Sequence, residues 1–350
     1  MMRLLCLGDI AISVDDKQAI QWSTPLENSP GIDSRIIFNF ELPMGNRTNP
    51  IPRSSGARIL ADMDSLQVIQ RWSPGFATLA TNHILDGGDE GLIYTIESLN
   101  LAGFSTIGAG RTKDAIEQPM FWETKEGRLA IVNWVFSETH PDWMCVPGSN
   151  CWPGIEEATR IIRSLKENAN WILVIVHWSD EDFSFPRPED RKTALELVNI
   201  GADLIIGHHP HVIRGMETIK DSPVFYSLGN FYFSNIRDDT GGWVSRQAPR
   251  NREALGVELI FRKGYRPQYR FHSFWQTRQG FRSDPFHRAA RRIRSVSNPL
   301  LKFQGSSYIP WYIRQRRLFD KLGIRFHFRL WNLGPIGLIR FATKKLRISG

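Results

Sequence analysis

The sequence predicts an α/β protein with covered sheets, and three observations carry that reading. Short apolar runs of strand type alternate with helical spacings as far as about residue 261. Some of these runs, such as 171–176, are apolar at every position, which suits a strand buried on both faces. Polar residues with ligand chemistry then fall just past the ends of the runs, where ligands bind in open α/β sheets.

In chain order, residues 2–7 read as a buried strand ending in Gly8-Asp9, and 35–41 as an apolar strand closing on Glu41 before the breaker Pro43. The spacing predicts a helix over 58–70, a short strand over 76–80 running into Thr81-Asn82-His83, and a helix over 91–102. Strands follow at 105–108 and 129–134, a helix at 155–167, and a strand at 171–176 ending at His177. A helix over 190–200 leads to the strand 204–206, which stops at Gly207-His208-His209-Pro210-His211. Strands at 224–227 and 256–261 complete the alternation, with one further strand expected within 265–274. Residues 137–154, rich in Trp, Pro and Gly, form a loop long enough for a lid or substrate wall, or a plain ordered surface loop.

The net charge of +8 hides a split. From Arg262 to Gly350 there are 21 Lys and Arg against Asp284 and Asp320, whereas the preceding 261 residues hold 23 basic and 34 acidic side chains. The change suggests a catalytic domain over 1–262 and a basic, mainly helical or irregular extension over 263–350. No basic start followed by an apolar stretch opens the chain and no segment is long and apolar enough to span a bilayer, so the expected location is cytoplasmic, with peripheral attachment at the inner membrane as an extension of it. Cys6, Cys145 and Cys151 are too few for a disulfide framework and lack Cys-x-x-Cys spacing. A Cys145–Cys151 bridge is sterically open, but reduced thiols are the expectation.

Five strand ends supply the candidate chemistry: Asp9, Glu41, Asn82-His83, His177 and the His209/His211 pair. Each has a bland alternative: a turn former, an exposed strand-end charge, a helix cap, a hydrogen-bonded core histidine. Their joint placement is more specific than any member. Two carboxylates, an amide oxygen and three imidazoles suit Mn, Fe, Zn or Co better than a thiol-preferring ion. A carboxylate shared between two ions about 3.5–4 Å apart makes the clamp used in phosphoester hydrolysis. His83 remains as a general acid, with Asp86 near enough in sequence to hold its other ring nitrogen.

Seven ordered blocks carry a resemblance: Gly8-Asp9, Asn39-Phe40-Glu41-Leu42-Pro43, Ala80 through Gly88, Gly108-Ala109-Gly110-Arg111, His177-Trp178, Gly207 through Val212, and Tyr226 through Phe231. Over about residues 3–262 the chain closely resembles the CapA family of poly-γ-glutamate and capsule synthesis, a branch of the calcineurin-like metallophosphatases. The resemblance implies a four-layer α/β/β/α sandwich with two divalent metal ions between the sheet edges. It places Asp9 on the first metal, Glu41 as the bridging carboxylate and Asn82 on the second metal, with His177, His209 and His211 completing the shells. His83 becomes the acid or transition-state stabiliser, Asp86 its orienting partner, His208 and the retained Glu181 outer supports, and Arg111 a contact for an anionic substrate group. Ala11, Thr81, Ser179 and Asp182 depart from the family pattern around the site, and the surface-exported members' N-terminal anchor has no counterpart before the first strand.

The function implied is metal-dependent hydrolysis of a phosphoester or related anionic small-molecule or polymer substrate in cell-surface polymer synthesis. Two alternatives stand beside it: a non-hydrolytic metal-binding component of a synthesis complex, and a two-metal nuclease. In the tail, Arg325, Arg329 and Asn332 fall at i, i+4, i+7 beside an apolar stripe of Phe326, Leu330 and Leu333. Residues 320–350 therefore suit docking on an anionic membrane surface. Packing back on the acidic domain stays open, and nucleic acid is the least favoured partner.

Overall fold

A computed structural model describes residues 1–12, 25, 32–45, 59–61, 65–139, 148–237, 243–245, 247–278 and 280–332, with side chains as far as 321. Residues 1–298 form one compact unit and 299–350 another.

In the first unit the strands are β1 (Met2–Ala11), β2 (Asp33–Phe40), β3 (Gly75–Thr78), β4 (Phe104–Ile107), β5 (Met120–Thr124), β6 (Gly127–Val135), β7 (Trp171–His177) and β8 (Leu204–His208). They continue with β9 (Met216–Ile219), β10 (Ser222–Phe225), β11 (Asn230–Phe233), β12 (Ile236–Arg237), β13 (Trp243–Ser245), β14 (Glu253–Phe261), β15 (Gln268–Thr277) and β16 (Gly280–Ser283). Among the described residues the α-helices are α1 (Ser65–Ile69), α2 (Gly88–Leu101), α3 (Lys113–Glu117), α4 (Ile155–Asn168), α5 (Pro188–Ile200), α6 (Arg288–Lys302) and α7 (Tyr308–Asn332).

One sheet runs β16-β15-β14-β1-β2-β3-β4 with β11 also on β1, and the other runs β5-β6-β7-β8-β10-β9. In the parallel cores β1-β2-β3-β4 and β6-β7-β8, helices join β2 to β3 (α1), β3 to β4 (α2), β6 to β7 (α4) and β7 to β8 (α5), the usual crossover between parallel strands. Leu4, Cys6 and Ile37 of the first sheet bury against Leu173, Ile175, Leu204 and Ile206 of the second, so the main apolar layer lies between the sheets. Successive side chains of β7 point to opposite faces. Ile172, Val174 and Val176 are buried as well, and α4 covers that side. Leu92 and Leu99 of α2 belong to the core on the far face of the first sheet. The result is the expected α/β/β/α sandwich.

Three expectations change. The first sheet does not stop near 262, because β15 pairs antiparallel with β14 from Glu253↔Trp275 to Ile260↔Gln268 and β16 extends it, so the compact unit runs to Asn298. The helix expected over 58–70 shrinks to α1 and a single 3-10 turn at Gln70–Trp72. Ala61 instead bridges Met44, and the Ile59 N–H donates to Asp86 Oδ2 at 2.9 Å, so that backbone is spent on tertiary partners. Cys151 is disulfide-bonded, not reduced, while Cys6 is free and buried. Cys145, residues 140–147 of the proposed lid, and the side chains of the amphipathic segment beyond 321 lie outside the described residues. No helix among the described residues is long and apolar enough to cross a membrane.

Candidate metal centre

Parallel register gathers the first sheet's share of the site. Asp9 pairs with Asn39 on β2 and with Asn230 on β11, so three polar side chains stand side by side at the ends of neighbouring strands. Glu41 follows β2 and shares a face with Asn39 by the two-residue period. Gly8 permits the close approach: a Cβ there would lie 1.9 Å from the Gly229 carbonyl oxygen, whose partner is the Asp9 N–H at 3.0 Å. The second sheet contributes His177, last residue of β7, in register with His208, last residue of β8. The turn that follows holds His209 at φ 92° and His211 at φ 55°. Left-handed backbone at non-glycine residues costs about 1–3 kcal/mol each and clusters at functional sites.

The side chains converge in a buried pocket. Asn39 Nδ2 donates to Asp9 Oδ1 (2.9 Å) and to Glu41 Oε2 (2.7 Å), tying down one oxygen of each carboxylate. His208 Nδ1 lies 2.9 Å from the same Asp9 oxygen, and His211 Nδ1 lies 3.4 Å from Asp9 Oδ2 and 3.0 Å from Asn230 Oδ1. His177 Nε2 is 2.9 Å from Asn82 Oδ1 and 3.6 Å from Glu41 Oε1. The rings of His177 and His209 are 4.8 Å apart, those of His209 and His211 5.9 Å. Beside them His83 Nδ1 lies 2.8 Å from Asp86 Oδ2.

Among the described residues six buried side-chain polar atoms lack a hydrogen-bond partner, and four of them are here: Asp9 Oδ2, Glu41 Oε1, His177 Nδ1 and His209 Nδ1. Buried polar atoms without partners are costly, so four in one pocket call for a missing ligand. Two overlapping groups, Asp9/Glu41/His177 and Glu41/His209/His211, each offer ligand atoms within 4.8 Å of one another and share Glu41. The donor set fits divalent metal.

The electrostatics point the same way. Burial works to raise the Asp9 carboxyl, but the His208 hydrogen bond and the close His211 imidazole outweigh it and hold it far below the usual range. Glu41 is raised by burial and by the Asp9 charge. Burial lowers His177, and burial together with the neighbouring His177 lowers His209, which keeps both imidazoles neutral as ligation requires. His211 goes the other way: burial opposes its charge, yet the close Asp9 carboxylate and the Glu41 charge push it up to about 10.

Of the residues expected from sequence, Asp9, Glu41, Asn82, His177, His209 and His211 come together, with His83, Asp86 and His208 around them. Arg111 is exposed, with no hydrogen bond or ion pair to the cluster among the described residues. Glu181 is also exposed, and its charge acts on Glu41 and His211.

Sequence reasoning missed Asn39, Asn230 and Arg214. The signal for Asn39 was an Asn-x-Glu on one strand face; for Asn230 it was a polar residue opening an apolar strand. Arg214 is fully buried. Its Nε donates to the Phe183 carbonyl (2.8 Å), its Nη2 to the Asp180 carbonyl (2.7 Å), and its Nη1 to Ser179 Oγ, with Asp190 Oδ2 at 3.3 Å. It thereby clamps the loop after β7, in which Ser179 and Asp182 are left-handed and the Asp182 N–H meets the Pro210 carbonyl at 2.9 Å. Arg214→Ala is expected to lower the unfolding free energy by about 1–3 kcal/mol, since two buried carbonyls lose their donor while Asp190 keeps Arg187 at 2.7 Å. Denaturant titration reads this; a loss below about 0.5 kcal/mol, the size of an ordinary surface change, would contradict the clamp.

The sequence model of the family described as bacterial capsule synthesis protein PGA_cap matches residues 21–235. The capsule biosynthesis protein CapA of Bacillus anthracis is 28% identical over 218 residues, 60% of this chain and 51% of that protein. The PGA biosynthesis protein CapA of Bacillus subtilis (strain 168) is 25% identical over 233 residues, 65% of this chain and 58% of that protein. This chain thus spans little more than half the length of these relatives. Among solved structures, the calcineurin-like phosphoesterase YfkN from Bacillus subtilis superposes with a TM-score of 0.40 at 13% identity, covering 84% of this chain and 96% of that one. With more than half of its length matched, the chain belongs to the PGA_cap family of bacterial capsule synthesis proteins.

Proposed function

We propose that the chain is a metal-dependent hydrolase of a phosphoester or related anionic intermediate in the synthesis of capsule, poly-γ-glutamate or another cell-surface polymer. The observation that carries this reading is the set of four buried polar atoms without hydrogen-bond partners, on residues of the two ligand groups, beside a carboxylate-oriented histidine. The names of the Bacillus relatives supply the polymer context. Asp9, Glu41, Asn82, His177, His209 and His211 would hold the ions, with Glu41 common to both ligand groups. Divalent ions bound there supply a nucleophile from water near neutral pH and offset charge on the substrate oxygens.

This chain's own residues do the rest. Asn39 and His208 occupy Asp9 Oδ1, so Oδ2 is the oxygen that would ligate. Asp86 accepts from the Ile59 N–H and holds His83 Nδ1, which fixes the imidazole and leaves Nε2 as the atom to pass a proton to a leaving oxygen. Purified protein loaded with Mn, Fe, Zn or Co and assayed over a panel of phosphoesters tests the reading. Stoichiometric metal without turnover of any member would reject hydrolysis and favour a metal-binding role in a synthesis complex.

Loading should also move protons. In the metal-free protein His211, at about 10, is protonated at neutral pH. A ligating imidazole must lose that proton, so affinity is expected to rise as pH climbs toward 10 and to fall below it. Calorimetry in buffers of different ionisation enthalpy should find at least one proton released per chain. No release would place His211 outside the ligand set.

A further inference from the structure

We propose that the first half of α7, with the end of α6, is a docking surface for an anionic lipid bilayer. The inference is independent of the hydrolase reading. It rests on which side chains the second unit leaves in solvent.

Ile309, Ile313, Arg317 and Lys321 stand four residues apart, and Arg314 lies beside them, so all five occupy one face of the helix. Ile309 is 47% exposed and Ile313 42%; Arg314, Arg317 and Lys321 are exposed too. The buried residues of the helix, Tyr308, Tyr312 and Phe319, occupy the opposite face. At the end of α6, Leu301 is 60% exposed next to exposed Lys302. Exposed aliphatic side chains in line with cations are what an interfacial helix presents: the aliphatics enter the acyl boundary and the cations meet the headgroups.

Residues 299–350 hold eleven Lys and Arg and a single acid, Asp320. Asp320 accepts from Arg316 Nε at 3.0 Å, and Arg314, Arg317 and Lys321 make no ion pair among the described residues. The sequence continues the four-residue row with Arg325 and Arg329, still within α7. Such a surface complements phosphatidylglycerol or phosphatidylserine headgroups. Nucleic acid fits less well. The aromatic rings that would stack on bases are engaged with one another, Phe303 on Trp311 at 5.3 Å and 18° and Tyr308 near Trp311 at 5.4 Å, while the side chains left outward are aliphatic.

Co-sedimentation of the full chain with vesicles of phosphatidylcholine alone, and of phosphatidylcholine with phosphatidylglycerol, tests the surface. At least tenfold stronger partitioning onto the anionic vesicles is expected, falling with added salt as screening shortens the reach of the charges. The variant R314E/R317E/K321E should lose at least about a hundredfold, roughly a factor of five per cation removed with repulsion from the new carboxylates added to it. I309N/I313N should weaken binding while keeping its salt dependence. Circular dichroism monitors folding of both, and the wild-type lipid and salt comparison decides the matter even if a variant fails to fold. Equal recovery on both vesicle types would overturn the proposal. So would charge reversal that abolishes single-stranded DNA binding and leaves vesicle binding intact, which would make the surface a nucleic-acid one.

Discussion

Asp9→Asn is expected to strip the site of stoichiometric metal and lower kcat/KM toward an aryl phosphate by at least about a hundredfold, the upper range for losing only a supporting partner of a ligand. The substitution is close to isosteric, which makes it a fair probe. Asp9 Oδ1 already accepts from Asn39 Nδ2 and faces His208 Nδ1, both at 2.9 Å. The single amide oxygen of an asparagine would take that place and leave its NH2, with no available lone pair, where the unpartnered Oδ2 now stands. His209→Ala removes a candidate ligand from the turn after β8, an imidazole whose Nδ1 has no hydrogen-bond partner. If the two sheets enclose one centre, the double variant should be little worse than either single one, as groups acting together are not additive. Plasma emission on dialysed protein gives the metal content and circular dichroism the fold. Folded variants retaining full metal and turnover would end the metal-centre assignment.

Much of this centre is legible in the amino-acid sequence, for a physical reason. Parallel strands carry their chemistry at their carboxyl ends, so a ligand leaves a local mark, an apolar run closing on a polar residue, as at Glu41 and His177. What supports the ligands leaves no such mark. Asn39 lies inside β2, where its role appears only once register sets it beside Asp9. Arg214 becomes interpretable only when the loop after β7 folds over it. The boundary placed at 262 failed because a change in charge reports on surface and not on pairing. Strand β15 reads exposed or half-buried at most positions, so it can carry Arg270 and still hydrogen-bond to β14 along its length. The helix expected over 58–70 had the right periodicity, but the partners Met44 and Asp86 are remote in sequence.

His83→Ala separates catalysis from metal binding. His83 lies outside both ligand groups, and its Nδ1 is tied to Asp86, so its removal should leave bound metal unchanged. Losing a positioned proton donor costs about 10²–10⁴-fold in kcat. Asp86→Asn should act in the same direction but less, because an amide can still face the ring, and it should also cost stability through the Ile59 N–H that Oδ2 now accepts. The leaving group distinguishes the two roles open to His83. A nitrophenolate leaves without help, so a general acid matters little there and greatly for an alkyl phosphate; the loss in His83→Ala should then grow with leaving-group pKa. A uniform loss across the series would mean that His83 stabilises charge on the transferring group and donates no proton. No loss with any ester, in protein carrying full metal, would remove His83 from the mechanism and leave the proton to solvent, with the Asp86 contact serving only to hold the turn after β3 against Ile59.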